Sequence, residues 1–239
     1  MLKVEDLHVS VAGKEIVKGV SFSLEKGKTY AIMGPNGSGK SSLCNALMGN
    51  PDYAVRGRVV LDGKDISRLR ADERARLGMF MGFQNPEEIE GVELEALMCR
   101  AFKPADKKEE IRNWAIVKEK IRKVSEKLGL KAEKRELNVG FSGGEKKKAE
   151  IVQMEILQPK LVLLDEIDSG LDVDALRAVA RAINKMRDKE RAFLIVTHYS
   201  RILKYVKPDF VLMMKDGKIV GKGGPELVKI IEKEGYKAV

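Results

Sequence analysis

Residues Met33-Gly34-Pro35-Asn36-Gly37-Ser38-Gly39-Lys40-Ser41-Ser42 carry the strongest chemical signal in the chain. They fit the spacing G-x-x-x-x-G-K-[ST], with Gly34 and Gly39 as its glycines, Lys40 as its lysine and Ser41 as its hydroxyl. Glycine suits this chemistry because backbone N–H groups must close on phosphate oxygens, and a Cβ would hold them off. The lysine brings full positive charge to the outer phosphates, and the serine hydroxyl can ligate Mg²⁺. The short apolar run Tyr30–Met33 before the loop reads as a buried parallel strand, and Leu43–Met48 after it has helical spacing. The glycines therefore sit at a strand-to-helix turn, where the helix adds its positive dipole end.

Further groups fall where such a loop needs help. Leu161–Leu164 is a wholly apolar strand that ends in Asp165-Glu166. Two carboxylates at the end of a buried strand are costly without a cation to face. Asp165 is placed to reach Mg²⁺, and Glu166 to orient and deprotonate an attacking water. Gln84 ends another apolar run and can reach metal and water, while His198 ends a third and can contact a γ-phosphate. A second glycine corner, Ser142-Gly143-Gly144-Glu145, opens the helix Lys146–Gln158 and makes a second anion site. Two phosphate-binding helix ends in one chain suggest that one serves a neighbour. A symmetric dimer would set Ser142–Glu145 of each protomer over the ATP held by Lys40 of the other. Lys146, Lys147 and Lys148 would add positive potential there.

The elements that must position these groups read as an α/β protein. Leu2–Val11 and Ile16–Leu24 alternate as antiparallel strands around Ala12-Gly13-Lys14, and Arg58–Leu61 reads as a short strand. Arg68–Arg76 reads as a charged helix with a solvated face, and Leu77–Phe83 as an apolar run. Residues 85–158 look like an inserted helical subdomain: a loop Pro86–Gly91, a helix Glu93–Phe102, and a break at Lys103-Pro104-Ala105. Then Ile111, Trp114, Ala115, Val117, Ile121, Val124 and Leu128 recur at helical spacing, which puts Trp114 on an apolar stripe. The core resumes with Leu161–Leu164, a helix Val173–Asp188, strands Ala192–Thr197 and Phe210–Met214, a hairpin turn at Asp216-Gly217, and a helix Pro225–Glu234. The expected organisation is one domain, with 1–84 and 159–239 as the catalytic core and 85–158 inserted.

With 239 residues, 44% hydrophobic and 34% charged, the chain has the composition of a globular protein with a full core. Its longest apolar runs are strand length, so no membrane insertion is expected. Met1–Asp6 lacks a signal-peptide apolar segment, so the expected location is cytoplasmic. The net charge of +9 is spread among interleaved acids, and aromatics are only 5%, which argues against a nucleic-acid surface. Cys44 and Cys99 read as small buried thiols, too few for a four-ligand metal site.

Taken together, GPNGSGKSS, Gln84, SGGE, LVLLDE, Asp172 and His198 resemble the nucleotide-binding domain of the ABC ATPases over nearly the whole chain. Four stretches narrow the likeness: Phe83–Val92, Gly140–Lys148, Asp165–Asp172 and Val196–Leu203 resemble the SufC-type ATPases of the SUF iron–sulfur cluster assembly machinery. In most transporter ATPases Pro-Thr follows the catalytic glutamate; here Ile167-Asp168 departs from them and agrees with the SufC type. The resemblance implies a P-loop NTPase fold with a parallel-sheet core, an N-terminal antiparallel β subdomain and an inserted helical subdomain. It implies Gly34, Pro35, Asn36, Gly37, Ser38, Gly39, Lys40, Ser41 and Ser42 around the phosphates, and Ser41, Gln84 and Asp165 around Mg²⁺. Glu166 would be the general base, His198 the γ-phosphate sensor, and Lys40 the charge on the outer phosphates. Ser142, Gly143, Gly144 and Glu145 would meet the nucleotide of a partner protomer in a transient, nucleotide-dependent homodimer, with Asp172 in the loop crossing that interface. The Gln84–Phe102 region would contact scaffold proteins of the SufB and SufD type. Many ABC members stack adenine on an aromatic residue of the N-terminal strand, but His8-Val-Ser-Val11 has none, leaving an imidazole or aliphatic contact. An importer's ATPase subunit is the alternative; a DNA- or ribosome-associated ATPase lacks the second cassette and the aromatic-basic surface it would need.

Overall fold

Alternation of apolar and polar residues at the start of the chain becomes two long antiparallel strands, β1 (Leu2–Val11) and β2 (Lys14–Leu24). The structure, a computed structural model, describes residues 1–101, 107–131 and 135–237. Phe102 and the expected break at Lys103–Ala105 lie outside the described residues, as does the side chain of Ile111. Two compact units divide the chain. The first holds Met1–Gln84, Pro159–Asp168 and Arg187–Val239; the second holds Asn85–Gln158 and Ser169–Met186. Residues 169–186 thus group with the helical unit and not with the core where the sequence reading puts them.

In the first unit, β1 pairs with β2 and with β4 (Tyr53–Leu61), and β5 (Lys64–Asp65) completes a four-stranded antiparallel sheet. A six-stranded sheet has the order β12-β11-β3-β10-β9-β6, formed by β3 (Thr29–Met33), β6 (Met79–Gly82), β9 (Leu161–Asp165), β10 (Ala192–Thr197), β11 (Phe210–Lys215) and β12 (Lys218–Gly223). All its neighbours are parallel except β11 and β12, which form a hairpin at Asp216-Gly217. Strands β3, β9, β10 and β6 are buried at every residue, as strands covered on both faces must be.

Helix α1 (Lys40–Met48) buries Leu43, Cys44, Ala46 and Leu47 in one cluster with Val9, Val59 and Leu61 of the antiparallel sheet and Ile32, Leu163 and Leu194 of the parallel one. Each of the two leucines of α1 contributes about 1.5–3 kcal/mol of burial, so the position of that helix is set by core packing. One side chain of α2 (Ala71–Arg76) also fixes it. Arg74, which the sequence reading places on a solvated face, is 3% exposed. Its guanidinium donates to the carbonyls of Ala46 at 2.9 Å, Leu47 at 2.8 Å, Leu69 at 2.9 Å and Ser67 at 3.1 Å. It satisfies the orphan carbonyls at the C-terminus of α1 and puts a cation at the negative end of that helix. The unit also holds α7 (Glu226–Glu234), whose Leu227, Val228 and Ile231 are buried.

The second unit is helical: α3 (Leu94–Ala101), α4 (Lys107–Leu128), α5 (Gly143–Leu157) and α6 (Val173–Met186). Val117, Ile121 and Leu128 of α4 are buried, as the 3–4 spacing requires. Trp114 is a correction: it is 42% exposed and Ala115 beside it is exposed too, so among the described side chains the stripe is buried from Val117 onward. The expected loop at Pro86–Gly91 is in part a strand, β7 (Ile89–Glu93), paired with the two-residue β8 (Glu136–Leu137).

Candidate active site

Four loops leave the parallel sheet at the carboxyl ends of its strands, the edge where open α/β sheets bind ligands. In register, Met33 lies beside Thr197, Val196 beside Asp165, and Gly82 beside Leu164, so the loops after β3, β10, β9 and β6 start at one level. The phosphate loop follows β3. A Cβ on Gly34 would lie 2.1 Å from the Met214 carbonyl oxygen, so only glycine lets the loop rest on β11. Gly39, the residue before α1, has φ 103°, a conformation that favours glycine. The amide of Ser38 donates to the Pro35 carbonyl at 3.2 Å, and the Ser38 carbonyl accepts from Gly217 N at 3.0 Å.

Lys40 is 4% exposed and curls into the loop, donating to the carbonyls of Gly34 and Pro35, each at 2.9 Å. Burial pulls its ammonium below the usual lysine range, with Glu166 and then Asp165 acting against that fall. An anion arriving in the loop would take over this ammonium from two neutral carbonyls and strengthen its hydrogen bonds.

The carboxylate pair lies opposite. Asp165 accepts from the Ser41 hydroxyl at 3.0 Å. Glu166, with φ 47°, has one carboxylate oxygen accepting from Gln84 Nε2 at 2.8 Å and the other 2.9 Å from His198 Nδ1. Gln84, Asp165, Glu166 and His198 thus converge as their strand-end positions predict. A cavity of about 460 Å³ is lined by Lys14, Ile16, Asn36, Gly37, Gly39, Lys40, Ser41, Ser42, Gln84 and Glu166. The Ser41 hydroxyl, an Asp165 carboxylate oxygen and the Gln84 side-chain carbonyl, left open by the amide's bond to Glu166, are hard oxygen donors that suit Mg²⁺. The glycine cradle and the inward lysine suit a polyphosphate.

Several features were not legible beforehand. Lys14 and Ile16, in the first residues of β2, line the cavity, and the ring nitrogens of His8 lie 2.7 Å from Glu15 and 3.2 Å from Asp6. Asp168, two residues past Glu166, is 3% exposed, and the Thr197 hydroxyl lies 3.2 Å from its carboxylate. Burial raises the Asp168 carboxyl above the usual range.

The Ser142 corner belongs to the second unit. There Ser142 is exposed and caps α5: its Oγ accepts from Glu145 N at 3.3 Å and its own N–H donates to the Glu145 carboxylate at 2.9 Å, a reciprocal capping box. Arg135 holds Glu145 at 3.2 Å, and Gly143 and Gly144 add no side chain to the corner. Asp172 caps α6 by accepting from Ala175 N at 2.7 Å. The expected basic field is weaker than the sequence suggests, because Lys146 pairs with Glu88 at 2.8 Å and the buried Lys147 faces Glu150 at 3.6 Å.

Residues 17–169 match the family model described as ABC transporter. The chain belongs to the ABC ATPase family. A probable ABC transporter ATP-binding protein of Streptococcus pyogenes is 51% identical to this cassette over 100% of the chain and 94% of its own length. The probable ATP-dependent transporter SufC of Escherichia coli is 46% identical over 99% of the chain and 97% of its own. Among solved structures, an ATP-binding cassette of an ABC transporter in its ADP conformation superposes with a TM-score of 0.75 at 28% identity, covering 98% of this chain and 95% of that one. The cassette is thus a nucleotide-binding ABC-type ATPase related over its full length to proteins of the SufC type. No helix among the described residues is long and apolar enough to cross a membrane.

Proposed function

We propose that the cassette hydrolyses ATP at the cavity between Lys40 and Glu166, and that closure of two protomers around ATP changes the shape of a bound iron–sulfur assembly scaffold. The observation that carries the hydrolytic half is the engagement of both Glu166 oxygens, by Gln84 at 2.8 Å and His198 at 2.9 Å, on the wall of a cavity floored by the phosphate loop. A carboxylate so held is oriented for one proton transfer. Water attacks the γ-phosphorus in line with the leaving β-phosphate oxygen, and Glu166 takes its proton. Lys40 moves from the carbonyls of Gly34 and Pro35 to the phosphates, and the amides of Gly37 to Ser42 close around them. His198, tied to Glu166, senses the terminal phosphate. Mg²⁺, held by Ser41, Gln84 and Asp165, would neutralise phosphate charge. Catalysis on this reading is positioning and electrostatic stabilisation, with no covalent enzyme intermediate.

The second protomer supplies Ser142, Gly143, Gly144 and Glu145 to the nucleotide, with Asp172 beside the interface. The exposed corner at the N-terminus of a fifteen-residue helix supports that role, since its capping box uses the amides of Ser142 and Glu145 and leaves those of Gly143 and Gly144 for an anion. The scaffold role rests on the SufC-type motifs together with the full-length SufC relative. Exposed apolar side chains within or beside the expected docking stretch Gln84–Phe102, Phe83 at 47% and Ile89 at 42%, support a protein partner there. Because relatives carry transporter names, an importer subunit docking through the same stretch is the second reading. Purification from native extract separates them: co-purifying iron–sulfur scaffold proteins of the SufB and SufD type support the first, a polytopic membrane protein the second.

A further inference from the structure

The turn Gly235–Lys237, which follows α7, brings a phenol to the loop after β10. Tyr236 is half-buried, and its hydroxyl donates to the backbone carbonyl of His198 at 3.1 Å. A phenol has one proton to give, and here it goes to that carbonyl. Burial holds this phenol above the ordinary tyrosine range, which keeps it a donor through neutral and mildly alkaline pH.

His198 is gripped at both ends, its carbonyl by Tyr236 and its Nδ1 by Glu166 at 2.9 Å, with the Tyr199 ring packed 3.8 Å from the imidazole centroid. One phenol hydroxyl therefore holds the backbone of the residue whose ring orients Glu166. Helix α7, which precedes the turn, is fastened to the same loop independently, because Glu232 accepts from the Ser200 hydroxyl and from Lys204, the latter at 3.0 Å.

We propose that Tyr236 is a positioning residue for hydrolysis: its hydroxyl holds the His198 carbonyl, and so fixes the imidazole against Glu166 where the terminal phosphate must meet it. This rests on the reading of Glu166 and His198 given above. The sequence alone hides it, since a lone tyrosine near a chain end has no motif.

The chain has two histidines, His8 and His198, so imidazole signals in a proton–carbon NMR spectrum resolve one residue in the first sheet and one in the site. Tyr236→Phe keeps the ring and removes the hydroxyl. The expected result is a shifted His198 signal with a reduced response to magnesium and a non-hydrolysable ATP analogue, an unmoved His8 signal, and kcat lower by roughly five- to tenfold with KM within about twofold. Ser200→Ala releases the neighbouring anchor but leaves the phenol in place, and should keep the His198 signal and kcat at parental values. The proposal is overturned if the His198 signal of Tyr236→Phe coincides with the parent, or if Ser200→Ala moves it as far. Glu166→Gln, run alongside, separates the two levels: an inactive Glu166→Gln with an unaltered Tyr236→Phe sinks only the positioning role, whereas an active Glu166→Gln removes the reading on which it rests.

Discussion

Replacing Glu166 with glutamine isolates the proton transfer from everything else the side chain does. The carboxylate is 8% exposed, and its two oxygens have one partner each, so an amide of the same shape can keep its carbonyl toward Gln84 and turn its NH₂ to His198. Geometry is preserved and the base is lost. A positioned general base contributes about 10²–10⁴ in rate, which is a rise in barrier of about 2.7–5.4 kcal/mol. Binding should move the other way. Glu166 carries a negative charge at the cavity wall, and at about 5 Å from a terminal phosphate it opposes binding by roughly 1–3 kcal/mol, depending on the local dielectric. Neutralising it should tighten ATP by roughly fivefold or more while leaving ADP little changed. The assay is phosphate release under single turnover at saturating magnesium and ATP, paired with a calorimetric titration of each nucleotide. Hydrolysis at the parental rate would refute the general-base argument. So would a loss of ATP binding with normal ADP binding, because the carboxylate would then be holding the nucleotide and not the water.

Lys40→Ala should weaken ATP binding by about 100-fold or more, since it removes the one full charge inside the loop, and equilibrium titration reads it directly. Arg74→Ala should destabilise the first unit by about 3 kcal/mol, which at a few degrees per kcal/mol is a fall in Tm of roughly 6–12 °C; Arg74→Lys should recover little, because an ammonium cannot span four carbonyls. For Asp168 the folded-state pKa lies above the unfolded value, so its contribution to stability is complete at acid pH and is lost as pH rises through the raised folded value. Asp168→Asn should therefore melt above the parent at pH 7, with the difference closing toward pH 4; a constant difference across that range would contradict it.

What could be read from residues alone was set by how local the physics is. Wholly apolar runs ending in a charged or polar residue located β9 with Asp165 and Glu166, and β10 with His198, because a buried strand leaves such a residue nowhere to go but its end. The turn chemistry of Asp216-Gly217 and the phosphate loop was equally local. Arg74 was misread because a charged six-residue helix has no pattern that reveals carbonyls contributed by α1 and the Ser67–Leu69 segment. The β7–β8 ribbon escaped because a two-residue strand has no periodicity. Trp114 sat at the right spacing, but burial of the α4 stripe depends on where neighbouring helices begin. The carboxylates of Asp6 and Glu15 beside His8 are placed by strand pairing that spacing cannot specify.

The central claim is that a triphosphate bound by one protomer is covered by the serine–glycine corner of another. A crystal structure of Glu166→Gln with magnesium and ATP tests it most directly. The account predicts two nucleotides per dimer, each with its phosphates on the amides of Gly37 to Ser42 and its γ-phosphate against Ser142 and Gly144 of the partner; phosphates bound elsewhere, or a γ-phosphate with the second protomer absent, would contradict it.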